Sequence, residues 1–192
     1  GAETHRQRRP VRQRIAVALL SLSAAGFAAW QANEGDGPTS VRADGAVVHH
    51  PYVPTAGDVP TIGNGSTRYE DGTPVRLTDA PITRQRGEQL ARNLNSQEEV
   101  RFRASMPGAT LYPEEFDLYM DFVGQYGIGN WRKPGSPRTW LLRGDYLGAC
   151  QALLQWRFQA KRDCRLPQNW GPKGCKGVWT RQLERNRKCL AA

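Results

Sequence analysis

Residues 15–30 carry no charged side chain, while Arg6, Arg8, Arg9, Arg12 and Arg14 precede them and Glu34 follows. A chain can satisfy such a run in two ways. It can leave the segment in a bilayer, with the arginines held on the cytoplasmic side, or bury it in its own core. At 16 residues the run is short of the roughly 20 that span a bilayer comfortably. It is also dilute, because Ala16, Ala18, Ser21, Ser23, Ala24, Ala25, Gly26, Ala28 and Ala29 separate Ile15, Val17, Leu19, Leu20, Leu22 and Phe27. Each small residue reduces the apolar area that drives transfer out of water. The expectation is a weak anchor that enters a membrane through residues 15–30 and can leave it again. Ser23-Ala24-Ala25 would make a poor cleavage site, since a cut there falls inside the apolar run.

Charge elsewhere is divided along the chain. Residues 31–130 hold eight basic and fourteen acidic groups, whereas residues 131–192 hold fourteen basic and three acidic. A basic surface of this kind favours a polyanionic partner. Six Trp, six Tyr and five Phe supply enough bulk to exclude full disorder. A mean hydropathy of −0.65 excludes a polytopic membrane protein. No repeat period suggests a solenoid.

The four cysteines, Cys150, Cys164, Cys175 and Cys189, lie in the last quarter without CxxC spacing, and His5, His49 and His50 are remote in sequence. That argues against zinc. Behind an export-like N-terminus an even count reads as two disulfides. Three pairings are possible. The nested one, Cys150–Cys189 outside Cys164–Cys175, suits a helix, an irregular loop rich in Pro and Gly, and a returning helix.

Residues 31–80 are rich in Gly, Pro, Asp and Thr, with short β-like pieces at 46–48, 52–53 and 59–62 and a turn at Glu70-Asp71-Gly72. Thr83 can cap a helix through Leu94. Tyr112-Pro113-Glu114-Glu115 opens a helix that runs to Gly127. Ser136-Pro137 opens another that stops at Gly144. Helical spacing continues over 145–158 and again over 178–190. The pattern predicts an α+β fold, with a small β-rich lobe early and a larger helical lobe late.

The chemistry concentrates in residues 33–67. Gly35 can end the helix of the apolar run, which sets Glu34 at a helix rim. Asp58 and Thr61 then follow in a glycine-bearing segment. One carboxyl group able to donate a proton, with a second carboxylate and a hydroxyl to manage a water, is the equipment of a glycosidase.

The order of the apolar run, Glu34-Gly35 and Val59-Pro60-Thr61-Ile62-Gly63-Asn64-Gly65-Ser66-Thr67 resembles the phage-type lysozymes (glycoside hydrolase family 24). More narrowly it is similar to their signal-anchor-release endolysins. The stretches 115–131 and 177–185 carry the same likeness, which extends from about Arg14 to the C-terminus. The resemblance implies a lysozyme-like fold with its cleft between the lobes. Residues 1–30 would be the basic N-terminus and anchor, and residues 31–192 the muramidase domain. It implies hydrolysis of the β-1,4 bond between N-acetylmuramic acid and N-acetylglucosamine in peptidoglycan, with inversion, leading to host lysis. Glu34 would be the general acid and Thr61 would hold the water. The family's middle carboxylate lies about nine positions after the Glu and six before the Thr; here those positions are Ala43 and Thr55. Asp58 is favoured and Asp44 is its rival. Additional residues near 41–52 would lengthen the β-lobe, and Asn64 replaces an aromatic or aliphatic residue, which bears on substrate preference. No cofactor, metal or nucleic acid is implied. The protein would be a monomer, held inactive at the inner membrane and then active in the periplasm. The alternative is a lysozyme-fold structural or polyanion-binding phage protein without activity.

Overall fold

The computed structural model describes residues 11–192, so Arg6, Arg8 and Arg9 of the basic N-terminus, like His5, lie outside the described residues. Residues 15–30 do not form one helix. They run as a two-residue strand β1 (Ile15–Ala16), a 3-10 turn (Val17–Leu19), an extended stretch, and then α1 (Ala24–Glu34). Two features stop the helix from starting earlier. Val17 is fully buried and its N–H donates to the Ala109 carbonyl at 3.0 Å, which holds the segment extended along the large lobe. Ser23 then caps α1: its hydroxyl accepts from the Gly26 N–H at 3.0 Å and donates to the Asp117 carboxylate. α1 buries Phe27 and Trp30 and runs through residues 30 and 31 without a break. Gly35 ends it at φ 73°, the stop expected of that glycine. Among the described residues no helix is long and apolar enough to cross a membrane.

The small lobe is a three-stranded antiparallel sheet of β2 (Thr39–Val41), β3 (Val47–His49) and β4 (Ile82–Thr83), with β3 central. The turn joining β2 to β3 holds Asp44, whose carboxylate accepts from the Ala46 N–H at 3.0 Å and pairs with Arg42. Isolated bridges Tyr52–Thr61, Ile62–Ser66 and Arg68–Pro74 continue the lobe. The expected turn at Glu70-Asp71-Gly72 is present, with Gly72 at φ 86° and the Asp71 carboxylate accepting from the Thr73 N–H at 2.8 Å. Ile62, Val75 and Leu90 form this lobe's core.

α2 (Arg84–Ala104) joins the lobes. Thr83 caps it, its hydroxyl accepting from the Arg86 N–H at 3.1 Å. The helix does not end near Leu94 but continues ten residues further. Its second half reads as polar, yet Asn95 and Phe102 are buried there, and packing against both lobes sustains it.

β5 (Thr110–Leu111) pairs with β1 and leads into α3 (Pro113–Trp131). The buried Glu115 carboxylate accepts from the Tyr112 N–H at 2.8 Å and from Arg14 at 2.8 Å, so the chain's entry is tied to the start of α3. α3 kinks at Gly127, φ 83°. α4 (Pro137–Leu141) and α5 (Tyr146–Leu153) follow. The helical spacing predicted over 145–158 breaks after Leu153, and the chain turns into a hairpin of β6 (Phe158–Gln159) and β7 (Arg162–Asp163). α6 (Lys176–Ala191) closes the lobe. Cys150–Cys189 joins α5 to α6, and Cys164–Cys175 closes the loop between them, which is the nested pairing. The core of this lobe is aromatic: Phe102 meets Phe116 edge-on at 5.1 Å, and Phe122 lies 5.7 Å from Trp131.

Candidate active site

Glu34 is the last residue of α1, and Gly35 turns the chain away immediately after it. Helical spacing places Trp30 one turn earlier on the same face. Trp30 is buried, and Gly124 of α3 makes room for it, since a Cβ there would fall 2.8 Å from the indole Cδ1. Glu34 thus opens onto a recess of about 170 Å³ lined by Trp30, Asn33, Asp121, Gly124, Gln125 and Arg181. A larger groove of about 810 Å³ along α1, α3 and α6 shares Asn33, Asp121 and Arg181 with it.

The small lobe meets Glu34 through backbone. Gly65, at φ 88°, lies so close that a Cβ on it would fall 2.7 Å from Glu34 Oε2. Asn64 anchors this turn to the end of α1. It is buried, its amide donates to the Gly35 carbonyl and to Asp36 Oδ1, and its oxygen accepts from Gln31 at 3.0 Å. Asn64 therefore has a fixed structural role, joining the two lobes where an apolar side chain could offer no hydrogen bonds. Thr61 is buried two residues before the Gly63–Gly65 turn and exchanges backbone hydrogen bonds with Tyr52. Its hydroxyl donates to the Val59 carbonyl at 3.1 Å. A hydroxyl committed as donor keeps its lone pairs for an incoming water.

Burial is the main reason the Glu34 carboxyl is pushed up to about 7, with the neighbouring Glu98 carboxylate adding to the shift. The carbonyl end of α1 disfavours negative charge in the same sense. Tyr52 is raised as well, first by burial and then by Glu34. The structure therefore brings Glu34, Tyr52 and the Gly63–Gly65 turn together, with Thr61 joined to Tyr52 through backbone.

The two remaining carboxylates are placed differently. Asp58 sits exposed on the loop between Tyr52 and Thr61, its backbone N–H donating to the Thr55 carbonyl at 2.9 Å. Asp44 is fixed in the β2–β3 turn by Arg42 and the Ala46 N–H, both of which hold its carboxyl below the usual range. Among the described residues no hydrogen bond links either to Glu34. Tyr52, Trp30 and Glu98 were not singled out from sequence. Trp30 carried a signal, standing four residues before Glu34. Among the described residues no group of His, Cys, Asp and Glu is arranged to hold a metal ion.

The sequence model of the family described as phage lysozyme matches residues 43–167. Among curated proteins none matches by sequence. Solved structures that share the fold include three phage enzymes. A mutant P22 lysozyme is 20% identical, with 90% of this chain and 99% of that one covered at a TM-score of 0.64. The endolysin from Escherichia coli O157:H7 phage FAHEc1 is 21% identical, covering 90% and 94% at 0.60. The active form of the P1 phage endolysin Lyz is 16% identical, covering 94% and 96% at 0.57. At these identities the likeness is one of fold.

The position of Glu34 makes a stability prediction. Its folded pKa lies above its ordinary 4.5, so its contribution is fully present below pH 4.5 and is lost as pH rises through about 7. Glu34→Gln removes that loss. Above pH 7 the variant should be more stable than wild type by about 1–2 kcal/mol, discounted for partial exposure, and the gap should close on acidification. Urea unfolding at pH 4 and pH 8 measures both.

Proposed function

The chain belongs to the phage lysozyme family, and from that premise we propose that it is an endolysin that cuts the β-1,4 bond between N-acetylmuramic acid and N-acetylglucosamine and lyses its host. The observation that carries this is the half-buried carboxyl of Glu34 at the meeting of the lobes, its pKa pushed up to about 7 by that burial and by Glu98. A group with that pKa can donate a proton to a glycosidic oxygen at neutral pH. Thr61, with its hydroxyl already donating to Val59, accepts a hydrogen bond from the attacking water. Asp58 supplies the second carboxylate. It is solvated and one short loop from Thr61, while Asp44 is engaged in its own turn. Attack by water on the face opposite Glu34 inverts the sugar, which requires carboxyls about 6.5–9.5 Å apart in the productive complex. The basic C-terminal third favours the anionic wall as substrate surface.

We also infer control by topology, with the protein anchored and inactive in the inner membrane and then released, active, to the periplasm as a monomer. The parts of the fold that residues 15–34 supply support this. Val17 and Leu20 enter the large-lobe core, Phe27 and Trp30 pack against α2, and Glu34 follows directly. While the segment is in a bilayer, those sites are empty and the acid is held at the membrane surface. The charge-free stretch with its Arg flank provides the weak anchor.

Glu34→Gln should abolish wall lysis with the fold intact, a loss of roughly 10²–10⁴ in rate. Asp58→Asn should reduce lysis far more than Asp44→Asn. Mass spectrometry of fragments from purified peptidoglycan should show N-acetylmuramic acid at the new reducing end. A folded Glu34→Gln protein that clears cells normally would sink the acid assignment.

Anchoring is tested by leucine at exposed alanines of α1. Ala24 and Ala28 suit this, whereas Gly26 does not, because a Cβ there would fall 2.7 Å from the Asp117 side chain. Two Ala→Leu changes add about 5 kcal/mol of membrane preference. Membrane depolarisation should move the wild type from membrane to periplasm and start lysis, and the Leu variant should stay bound. Release and lysis by the Leu variant on schedule would refute the anchor.

A further inference from the structure

Leu90, Leu94, Glu98 and Phe102 stand at four-residue steps along α2, so one face of that helix presents a carboxylate inside an otherwise apolar stripe. Leu90 and Phe102 are buried, and Leu94 packs against the cluster of Phe27, Trp30 and Ala91. Glu98 does not turn out to solvent from this stripe. It accepts a hydrogen bond from the Trp30 indole N–H at 2.9 Å. Trp30 is pressed from the other side by Gly124 and forms part of the recess beside Glu34. A buried indole needs one acceptor, and a glutamine or a backbone carbonyl would serve. A half-buried carboxylate is an expensive choice unless its charge has a use.

We propose that Glu98 is a positioning residue for the acid at Glu34: it fixes the Trp30 indole, and with it the last turn of α1, and it places a second carboxylate behind Glu34. This rests on Glu34 being the general acid. Two carboxyl groups in one poorly hydrated place cannot both ionise without cost, so one keeps its proton to a higher pH than the other. The surroundings decide which one keeps it. Glu98 is raised overall by burial, but the Trp30 donor and the nearby Arg101 stabilise its charged form and offset part of that rise. Glu34 has burial and Glu98 acting on it, both in the raising direction. Negative charge therefore settles on Glu98 and the proton on Glu34, the state in which a general acid must wait for substrate. The other ionisable groups around Glu34 are Tyr52 from the small lobe and, across the recess, Asp121 on α3 and Arg181 on α6. Asp121 is already paired with Arg185 at 2.9 Å. Glu98 is thus the carboxylate whose charge bears on Glu34 from the core side.

The test is a carbon-13 NMR titration of the glutamate carboxyls in the full chain. Glu98→Gln keeps an acceptor for the indole and removes only the charge. The Glu34 midpoint should then fall by roughly half a pH unit or more, about a threefold change in the ratio of its two forms. The alkaline limb of the wall-lysis profile should move to lower pH by the same amount, with lysis at acidic pH retained. If Glu98→Gln does not fold, Glu98→Met, of similar length, removes the same charge, and the Glu34 midpoint should fall there as well. An unmoved midpoint in whichever variant is measured overturns the proposal. A midpoint that moves while the lysis profile stays still keeps the Glu98 coupling and refutes Glu34 as the acid, so the two failures are distinguishable.

Discussion

Taking one carboxyl group partly out of water is the constraint around which this molecule is arranged. A carboxylate in bulk solvent is ionised at neutral pH and has no proton to give. Glu34 keeps its proton because Trp30, the Gly63–Gly65 turn and the core side of α2 surround it. None of these would be in place without the others. Gly65 must lack a side chain for the turn to close over Glu34, and Gly124 must lack one for Trp30 to enter α3. Asn64 fixes the turn to the helix end by three hydrogen bonds. A site assembled from both lobes and α1 exists only when all three are docked.

That dependence gives the N-terminal segment its importance. Residues 14–34 contribute an ion pair to Glu115, a short strand to β5, Val17 and Leu20 to the large core, and Glu34 itself. Arg14 also stacks on the Tyr146 ring at 3.4 Å. The same residues that read as a membrane anchor in sequence are structural members of the folded protein. Their weak hydrophobicity is consistent with both, since Ala and Ser pack on an exposed helix face as readily as they dilute a bilayer segment.

The features that could be read from sequence are those fixed by local chemistry. Thr83 as a cap, Pro113 as a helix start, Gly35 as a stop and the turn at Gly72 each follow from one residue's backbone or side-chain preference. What stayed hidden depends on contacts distant in sequence. The second half of α2 looks polar, and its half-buried Glu98 makes sense only against Trp30 of α1. The β6–β7 hairpin was not read from sequence, where helical spacing was carried on to 158, because Ala160 and Lys161 make its turn at φ 49° and 64° with no glycine or asparagine to announce it. Of the proposed site, Glu34 and Thr61 were proposed from sequence through their flanking motifs. Tyr52 was not, since it reaches the site only by pairing with Thr61 across the loop that carries Asp58.

The central claim is that Glu34 acts as the acid because burial keeps it protonated. The most direct measurement sets the Glu34 titration in the wild-type protein beside the pH dependence of kcat/KM on a soluble peptidoglycan fragment. The alkaline limb of that profile reports the essential acid of the free enzyme. The account predicts that limb and the Glu34 midpoint at the same pH, near 7. A Glu34 midpoint in the ordinary carboxylate range, or a limb governed by a different group, would contradict it.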